Sequence, residues 1–248
     1  MSKRSEQLLA LVNQNKKIEV NRLAELLQVS KVTIRKDLTD LEQRGLLRRR
    51  HGYAIINNPD NLSFRLAQNY DTKIKIARAA AAQVAENETI MIESGSTCAL
   101  LAEQLGQQKK HVTIITNSYF IANFVEKFDS IETILLGGKY QPSAEVVVGP
   151  LAKMLLPNFH VKQLFIGTDG FAADTGFFGN DLMRAEIVQA MAQQADRTII
   201  LTDSSKFKTL GVVKQLPLSA IAAVITDPQI PTATVNLLKQ QKIKLHLV

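Results

Sequence analysis

Seven short apolar, β-rich runs separated by helical patterns constrain the fold of this 248-residue chain more than any other feature. The predicted strands are 89–93, 112–116, 132–136, 163–167, 197–202, 220–226 and 244–248, and the predicted helices are 99–105, 119–128, 182–195 and 232–241. Strands that are apolar throughout and alternate with helices are typical of a largely parallel sheet covered on both faces. We therefore predict an α/β domain over residues 73–248, with its ligand site at the carboxyl ends of the strands.

Small and polar residues follow five of these predicted strands. Ser94-Gly95-Ser96-Thr97 leads directly into a helix, and such a turn can bind an anion through backbone N–H groups and the helix dipole. The same turn can also be a plain helix N-cap. The other strand ends read Thr116-Asn117-Ser118, Gly137-Gly138-Lys139, Gly167-Thr168-Asp169-Gly170 and Thr202-Asp203-Ser204-Ser205-Lys206. Together they predict a pocket for a polar, anionic ligand.

The N-terminal segment shows apolar residues at helical spacing in three short stretches, 8–12, 20–27 and 34–41, with Gly45 closing the third. Ser30 precedes the third stretch and is a good N-cap, because its hydroxyl can accept a hydrogen bond from a free N–H of the first turn. Two helices joined by a tight turn predict a helix-turn-helix.

The predicted third helix has two different faces. Ile34, Leu38 and Leu41 are spaced to face a core, so the polar side chains near the helix N-terminus project elsewhere, as in a recognition helix that enters the major groove. Two short strands around a turn at His51-Gly52 then form a basic wing. The predicted DNA-binding residues are Ser30, Lys31, Thr33, Arg35, Lys36, Arg48, Arg49, Arg50 and His51.

Positive charge is concentrated at the N-terminus. Residues 1–56 carry twelve basic and six acidic side chains, so +6 of the net charge of +7 lies there. A localised basic patch fits a protein that binds the phosphate backbone, although charge alone also fits a solvated helical face. A three-helix unit of this size could also bind another protein. Because spacing, cap and charge placement agree, we predict double-stranded DNA as the partner.

A polar, turn-rich segment at 57–61 is the predicted domain boundary. It gives an N-terminal winged helix-turn-helix, mainly α, over residues 1–57, a linker over 58–72 and the mostly parallel α/β domain over 73–248. Cys98 is the single cysteine, which excludes an internal disulfide and fits a reducing compartment. The sequence has neither a membrane span nor a signal peptide, so we expect a cytoplasmic protein that does not contact membranes.

The motifs in both domains resemble the DeoR family of sugar-catabolism repressors. In the first domain the resemblance is carried by 29–38, by Leu41-Glu42 and Gly45, and by Arg50-His51-Gly52, although the family usually has a second glycine at the position of Tyr53. In the second domain the matching segments are SGST, TNS, LGG, GTDG and DSSKF, in that order. The resemblance therefore covers essentially the whole chain.

The resemblance implies a sensor domain similar to ribose-5-phosphate isomerase. It implies that the Ser94–Thr97 loop holds a phosphate, that Lys206 approaches the ligand, and that Asn117, Asp169 and Asp203 bind sugar hydroxyls. Within Gly179–Glu186, polar side chains either bind the ligand or cap and solvate the next helix. The predicted effector-binding residues are Ser94, Gly95, Ser96, Thr97, Asn117, Gly137, Gly138, Asp169, Gly170, Asn180, Arg184, Asp203 and Lys206.

These expectations describe a repressor of a sugar or polyol catabolic operon, controlled by a phosphorylated sugar or polyol and acting as a homo-dimer or larger oligomer. The alternative is a sugar-phosphate isomerase with a DNA-binding extension, in which Glu186 would be the general base. Such enzymes also bring a lysine from the loop just upstream, and here no lysine occurs between Lys162 and Lys206. We therefore predict no catalysis, and no cofactor or metal.

Overall fold

The computed structural model describes residues 3–43, 47–55 and 62–248. It divides into two compact units, Met1–Tyr70 and Asp71–Val248, which we call the N-terminal and C-terminal units. The predicted helix end at Gly45 and the predicted boundary at 57–61 lie outside the described residues. From Leu62 onward, the predicted linker is largely helical.

Helices and short strands alternate in the N-terminal unit. They are α1 (Lys3–Asn15), β1 (Lys17–Glu19), α2 (Val20–Leu26), α3 (Lys31–Gln43), β2 (Arg48–Arg50), β3 (Tyr53–Ile55) and α4 (Leu62–Ala67). The three predicted helices are confirmed as α1, α2 and α3. Their apolar side chains share one core, in which Leu8, Val12, Leu23, Ile34, Leu38 and Leu41 are fully buried. The three strands form an antiparallel sheet in the order β1-β3-β2.

The C-terminal unit is an α/β structure. Its elements are α5 (Tyr70–Ala81), β4 (Glu88–Ile92), α6 (Ser96–Gln107), β5 (Val112–Thr116), α7 (Tyr119–Val125), β6 (Ile131–Leu135), β7 (Lys139–Gln141), β8 (Val146–Val148), α8 (Pro150–Leu155), β9 (Val161–Ile166), β10 (Gly170–Ala172), β11 (Gly176–Gly179), α9 (Leu182–Ala192), β12 (Ala195–Leu201), β13 (Val213–Leu216), β14 (Ala223–Thr226), α10 (Thr232–Gln240) and β15 (Lys244–Leu247). Single turns of 3₁₀ helix cover Leu156–Asn158, Ser204–Lys208 and Leu218–Ala220.

The seven predicted strands form one parallel sheet in the order β15-β14-β12-β9-β4-β5-β6. The chain runs outward along β4, β5 and β6, then returns to place β9 beside β4 and continues outward on the other side. The direction of winding therefore reverses between β4 and β9, where Met91 pairs with Leu164 and Ile92 with Phe165. In open α/β sheets such a reversal opens a crevice at the carboxyl ends of the two strands, and ligands bind there.

Two smaller β structures were not predicted. Strands β10, β11 and β13 form an antiparallel sheet, and β7 and β8 form a hairpin. In the first, Phe171 packs its ring 5.1 Å from that of Phe177 and 5.3 Å from that of Phe207. Several predicted element bounds were also wrong: for example, the helix predicted over 119–128 ends at Val125. Helix α9 ends at Ala192, since Ala195 already pairs with Val161 as the first residue of β12. The strand predicted from residue 220 begins only at Ala223, because a 3₁₀ turn follows Pro217.

Candidate nucleic-acid interface and ligand site

Helix α3 presents a core face and a polar face. The Ser30 hydroxyl accepts a hydrogen bond from the Thr33 backbone N–H at 3.1 Å, which confirms the predicted N-cap. The same hydroxyl lies 2.8 Å from the Thr33 hydroxyl, so the two side chains bond to each other at the start of the helix. The cationic side chains of this helix, Lys31, Arg35 and Lys36, are exposed. They can therefore reach phosphates or base edges.

The wing is a two-stranded hairpin, as predicted. The turn residues His51 and Gly52 have φ of 48° and 81°, the left-handed conformation that a two-residue hairpin turn requires at both central positions. Tyr53 begins β3, and its hydroxyl donates to the Glu19 carboxylate at 2.9 Å while the Lys17 ammonium lies 4.2 Å from the ring centre. The side chain that replaces the family's second glycine thus ties the wing to β1.

The three arginines of β2 do not share one environment. Arg48 and Arg50 are exposed, whereas Arg49 lies on the opposite face of the strand, as the alternation of a β-strand requires. The Arg49 Nε donates to the Glu42 carboxylate at 2.7 Å, and the Arg49 backbone N–H donates to the other carboxylate oxygen at 2.7 Å. The structure therefore places Arg49 against α3 and leaves Arg48 and Arg50 directed to solvent.

The contact with Arg49 also fixes the charge state of Glu42. Burial works to raise the pKa of the Glu42 carboxyl, but the backbone and side-chain hydrogen bonds from Arg49 outweigh it, so the pKa lies below its ordinary value. Glu42 therefore stays ionised and holds β2 on α3. We group the exposed cations of α3 and β2 under the name basic face: Lys31, Arg35, Lys36, Arg48 and Arg50.

Two of the loops predicted to bind the ligand, those after β4 and β9, flank the point where the winding of the sheet reverses. The loop after β4 reaches the loop after β9: a Cβ built on Gly95 would lie 3.9 Å from the Gly167 Cα, and one built on Gly167 would lie 3.8 Å from the Ser94 carbonyl oxygen. Gly95 has φ of 132°, a conformation that side chains rarely permit, and it precedes the first turn of α6. Backbone groups of both loops thus line the crevice between β4 and β9.

The hydroxyl group of Ser94 is already engaged. It donates to the Glu93 carboxylate at 2.5 Å, and both residues are buried. A serine hydroxyl has one proton, so in this arrangement Ser94 can offer a ligand only lone pairs. Ser96 and Thr97 lie in the first turn of α6, where N–H groups lack partners within the helix. Glu93 was not among the predicted ligand-site residues, although it is an acidic residue directly after the apolar strand β4.

Asn117, at the end of β5, is fully buried. Its Nδ2 donates to the Val147 carbonyl at 3.3 Å, and the Val147 N–H donates to the Asn117 carbonyl at 2.8 Å, so the β7–β8 hairpin packs on this strand end. No described residue donates a hydrogen bond to the Asn117 side-chain oxygen. A buried acceptor without a donor is costly, so a water or a ligand group has reason to bind it.

The predicted residues after β9 and β12 contribute mainly to local structure. The Asp169 N–H donates to the Phe178 carbonyl at 2.9 Å, and Gly170 begins β10. The Asp203 carboxylate accepts from the Ser205 N–H at 3.1 Å and from the Ser205 hydroxyl, which makes it the cap of a 3₁₀ turn. Lys206 lies in that turn and is half-buried.

Asp181 and Arg184 lie at the start of α9. The Asp181 carboxylate accepts from the Arg184 N–H at 2.9 Å and caps the helix, so the capping alternative holds for Asp181. Gln141 of the hairpin donates to the same carboxylate at 3.3 Å, a contact that the sequence did not suggest. The Arg184 Nε is buried and lies 3.8 Å from the Asp181 carboxylate, and among the described residues it makes no hydrogen bond. Asn180 is exposed.

Distances along the sheet edge limit which of these residues can share a ligand. Neighbouring strands are about 4.8 Å apart, so the end of β6 lies about 19 Å from the end of β12, four strands away. A molecule of six carbons and one phosphate is shorter than this. Gly137 and Gly138, after β6, and Lys206, after β12, therefore follow strand ends that are far apart along the sheet edge. Gly138 also packs closely, since a Cβ there would lie 2.8 Å from the Val148 carbonyl oxygen.

Glu186 does not have the surroundings of a general base. Its carboxylate lies 3.3 Å from the Lys153 ammonium, and its side chain is 42% exposed. A catalytic carboxylate is usually shielded from water and directed into a cleft. The exposed ion pair argues against the isomerase alternative.

No described helix is both long and apolar enough to cross a membrane. Among the same residues, His, Cys, Asp and Glu side chains form no group of three that could hold a metal ion. Cys98 is buried behind the loop after β4, and its thiol donates to the Phe165 carbonyl at 3.8 Å.

Proteins similar to this chain cover nearly its whole length. The chain is 32% identical to the L-fucose operon activator of Haemophilus influenzae over 93% of its own length and 94% of the relative. It is 29% identical to the putative aga operon transcriptional repressor of Escherichia coli O157:H7, over 100% of this chain and 94% of that protein. Among solved structures, ribose 5-phosphate isomerase A of Methanocaldococcus jannaschii matches 56% of this chain and 55% of that chain at 21% identity, with a TM-score of 0.42.

Family models account for both units. The DeoR-like helix-turn-helix domain matches residues 4–60, and the DeoR C terminal sensor domain matches residues 68–228. The second match alone covers more than half of the chain. The chain therefore belongs to the DeoR family of DNA-binding transcriptional regulators.

Proposed function

We propose that this regulator represses a sugar or polyol catabolic operon, and that a phosphorylated sugar or polyol bound in the C-terminal unit changes its affinity for the operator. The observation that carries the proposal is the close approach of the Ser94–Gly95 loop to Gly167 at the carboxyl ends of β4 and β9, where the winding of the sheet reverses. Backbone N–H groups at the start of α6 suit a phosphate. The relatives named above regulate operons, one of them for L-fucose, which favours a carbohydrate signal.

The proposed DNA contacts come from the basic face and the adjoining turn. Arg35, near the start of α3, would read a base edge, because a guanidinium can donate two hydrogen bonds to guanine. Lys31, Lys36, Arg48, Arg50 and His51 would contact phosphates or the minor groove. Ser30 and Thr33 bond to each other at the helix start, so in this proposal they orient the helix. Arg49 holds the wing through Glu42.

The proposed effector contacts surround the crevice. The phosphate would bind the loop of Gly95, Ser96 and Thr97, and Lys206 and Arg184 would add positive charge. Lone pairs of Ser94, with Asn117, Asp169 and Asp203, would bind hydroxyls. Gly170 and Asn180 would border the site, while Gly137 and Gly138 would support the β7–β8 hairpin.

The proposed mechanism is thermodynamic linkage in an oligomer. Helix-turn-helix proteins commonly bind two half-sites as dimers, so we propose a homo-dimer or a larger assembly. An effector that favours one arrangement of paired N-terminal units changes DNA affinity, typically by about 1–3 kcal/mol or 5- to 150-fold. Because operator DNA lies in the cytoplasm of a bacterium, the proposal places the protein there.

The test is a DNA-binding assay on the DNA upstream of the protein's own gene and its neighbours, with and without a panel of phosphorylated sugars and polyols. One panel member should change the affinity by at least fivefold in the wild type, and Lys206→Ala should abolish that change. Lys208→Ala is the matched control, because Lys208 lies on the same 3₁₀ turn and is exposed. An equal response in both variants would remove Lys206 from the site. No response to any phosphorylated compound would refute the proposed effector class.

A further inference from the structure

Val32 is an exposed apolar residue at the start of α3. Its side chain is 75% exposed, against 43% for Leu26, the next most exposed large apolar residue among the described residues of the N-terminal unit. A single exposed apolar residue usually carries no meaning. At this position, however, it lies on the element that carries the basic face.

The neighbours of Val32 show which face of α3 its side chain occupies. Residues three and four positions apart share a face of a helix, so Val32 lies beside both Arg35 and Lys36. These two side chains are exposed, while Ile34, which points the other way, is fully buried. Whatever duplex face Arg35 approaches, the isopropyl group of Val32 approaches with it.

Thr33, a predicted DNA-binding residue on the same helix, also carries a methyl group. Its hydroxyl lies 2.8 Å from that of Ser30, and its side chain is only partly exposed. That bond fixes the Thr33 rotamer at the cap. Val32 therefore offers the larger and more exposed apolar surface at the start of α3.

We infer that Val32 packs against the 5-methyl group of a thymine in the major groove, close to the base pair that Arg35 contacts. Of the four base pairs, only those with thymine present a methyl group in that groove; the other base edges present hydrogen-bonding atoms that valine cannot satisfy. Val32 thus determines specificity for an A·T pair by an apolar contact. The inference depends on DNA binding by α3 but not on the identity of the effector.

The experiment starts from duplexes selected from a random library by the purified full-length protein. Each thymine of the selected half-site is replaced in turn by deoxyuridine, which removes only the 5-methyl group. We expect one position at which the wild type loses affinity about fourfold, because burying one such carbon group contributes about 0.8 kcal/mol. Val32→Ala should bind the thymine and uracil duplexes equally at that position, and Val32→Ile should restore the difference.

Folding does not confound this variant, because Val32 is exposed and alanine is the better helix former. The matched control is Leu26→Ala, an exposed apolar residue on α2, which should keep the wild-type sensitivity to deoxyuridine. Persistence of the full difference in Val32→Ala, or a half-site without any sensitive thymine, would overturn the inference. A wild type that selects no duplex at all would overturn the DNA-binding function as well, so the two failures are distinguishable.

Discussion

Arg49 of the wing donates from its Nε to the Glu42 carboxylate at 2.7 Å, and this contact joins the wing to the C-terminal half of α3. The Arg49 backbone N–H donates to the second carboxylate oxygen, so Glu42 binds both the side chain and the main chain of one residue. Charge-assisted hydrogen bonds in such a two-point arrangement restrict orientation as well as distance. The pair therefore sets the angle between the wing and the recognition helix.

The first prediction concerns the free-energy coupling of this pair. Arg49→Ala and Glu42→Ala should each lower the unfolding free energy of the N-terminal unit, and the double mutant should lose less than the sum. Both side chains are one-third exposed, so we expect a coupling of only about 0.5–1 kcal/mol. Denaturant titration of the four proteins measures it. Strictly additive losses would show that the two residues act independently.

The second prediction concerns salt dependence. Arg48 and Arg50 are exposed, so each should displace a counterion from a phosphate when the protein binds DNA. Arg48→Ala and Arg50→Ala should each reduce the slope of log affinity against log salt by about 0.9. Arg49→Ala should weaken binding to all sequences with a smaller change in slope, because its charge is paired with Glu42. Fluorescence anisotropy at KCl concentrations from about 50 to about 300 mM measures the slope for each variant. A larger slope change for Arg49→Ala than for its neighbours would contradict this assignment.

The third prediction concerns acid stability of the C-terminal unit. Burial lowers the pKa of His246 on β15, and the positive charges of Lys244 and Arg197 lower it further. The unfolded chain therefore takes up a proton near the ordinary histidine value of about 6.5, while the folded chain does so only at lower pH. Stability from this group is complete above pH 6.5 and is lost as pH falls through the folded pKa.

Thermal melts from about pH 7.5 to about pH 5, a range that spans the ordinary histidine pKa, test this dependence. The melting temperature of the wild type should fall on acidification, and His246→Leu should show a smaller fall. Lys244→Gln should give an intermediate result, because it removes one of the two charges that oppose protonation. Identical pH profiles for the wild type and His246→Leu would contradict the assignment.

The parallel sheet was predictable because most of its strands contain a run of apolar residues, and a buried strand such as β14 shows no polar alternation. The capped start of α3 was predictable for a similar reason, since Ser30 acts within three residues of its partner. The β10–β11–β13 sheet was not, because strands of three or four residues with glycine at their ends give no periodic signal.

Contacts between residues far apart in the chain could not be predicted from the sequence either. Gln141 and Asp181 are forty positions apart, and nothing in either local pattern indicates that the hairpin approaches the start of α9. Glu93 is adjacent to Ser94, yet no local pattern predicts that the serine hydroxyl donates to it. The sequence alone does not distinguish Arg49 from Arg48 and Arg50, because the difference depends on the strand alternation and on the position of Glu42.

The last prediction concerns Gly95, where the geometry separates backbone strain from steric clash. A Cβ at this position would meet no atom closer than 3.9 Å, so space is available, but φ of 132° is strained for any residue with a side chain. Gly95→Ala should therefore lower the unfolding free energy of the C-terminal unit by about 1–3 kcal/mol, or shift the loop away from Gly167. In either case the backbone groups of the loop after β4 move, and the change in DNA affinity produced by the effector should be lost.

Affinity without effector should stay close to that of the wild type, because α3 and the wing are untouched. Gly179→Ala is the matched control, since a Cβ there meets nothing within 4 Å and its φ is not positive. Full effector response and unchanged melting in Gly95→Ala would mean that this loop does not bind the effector.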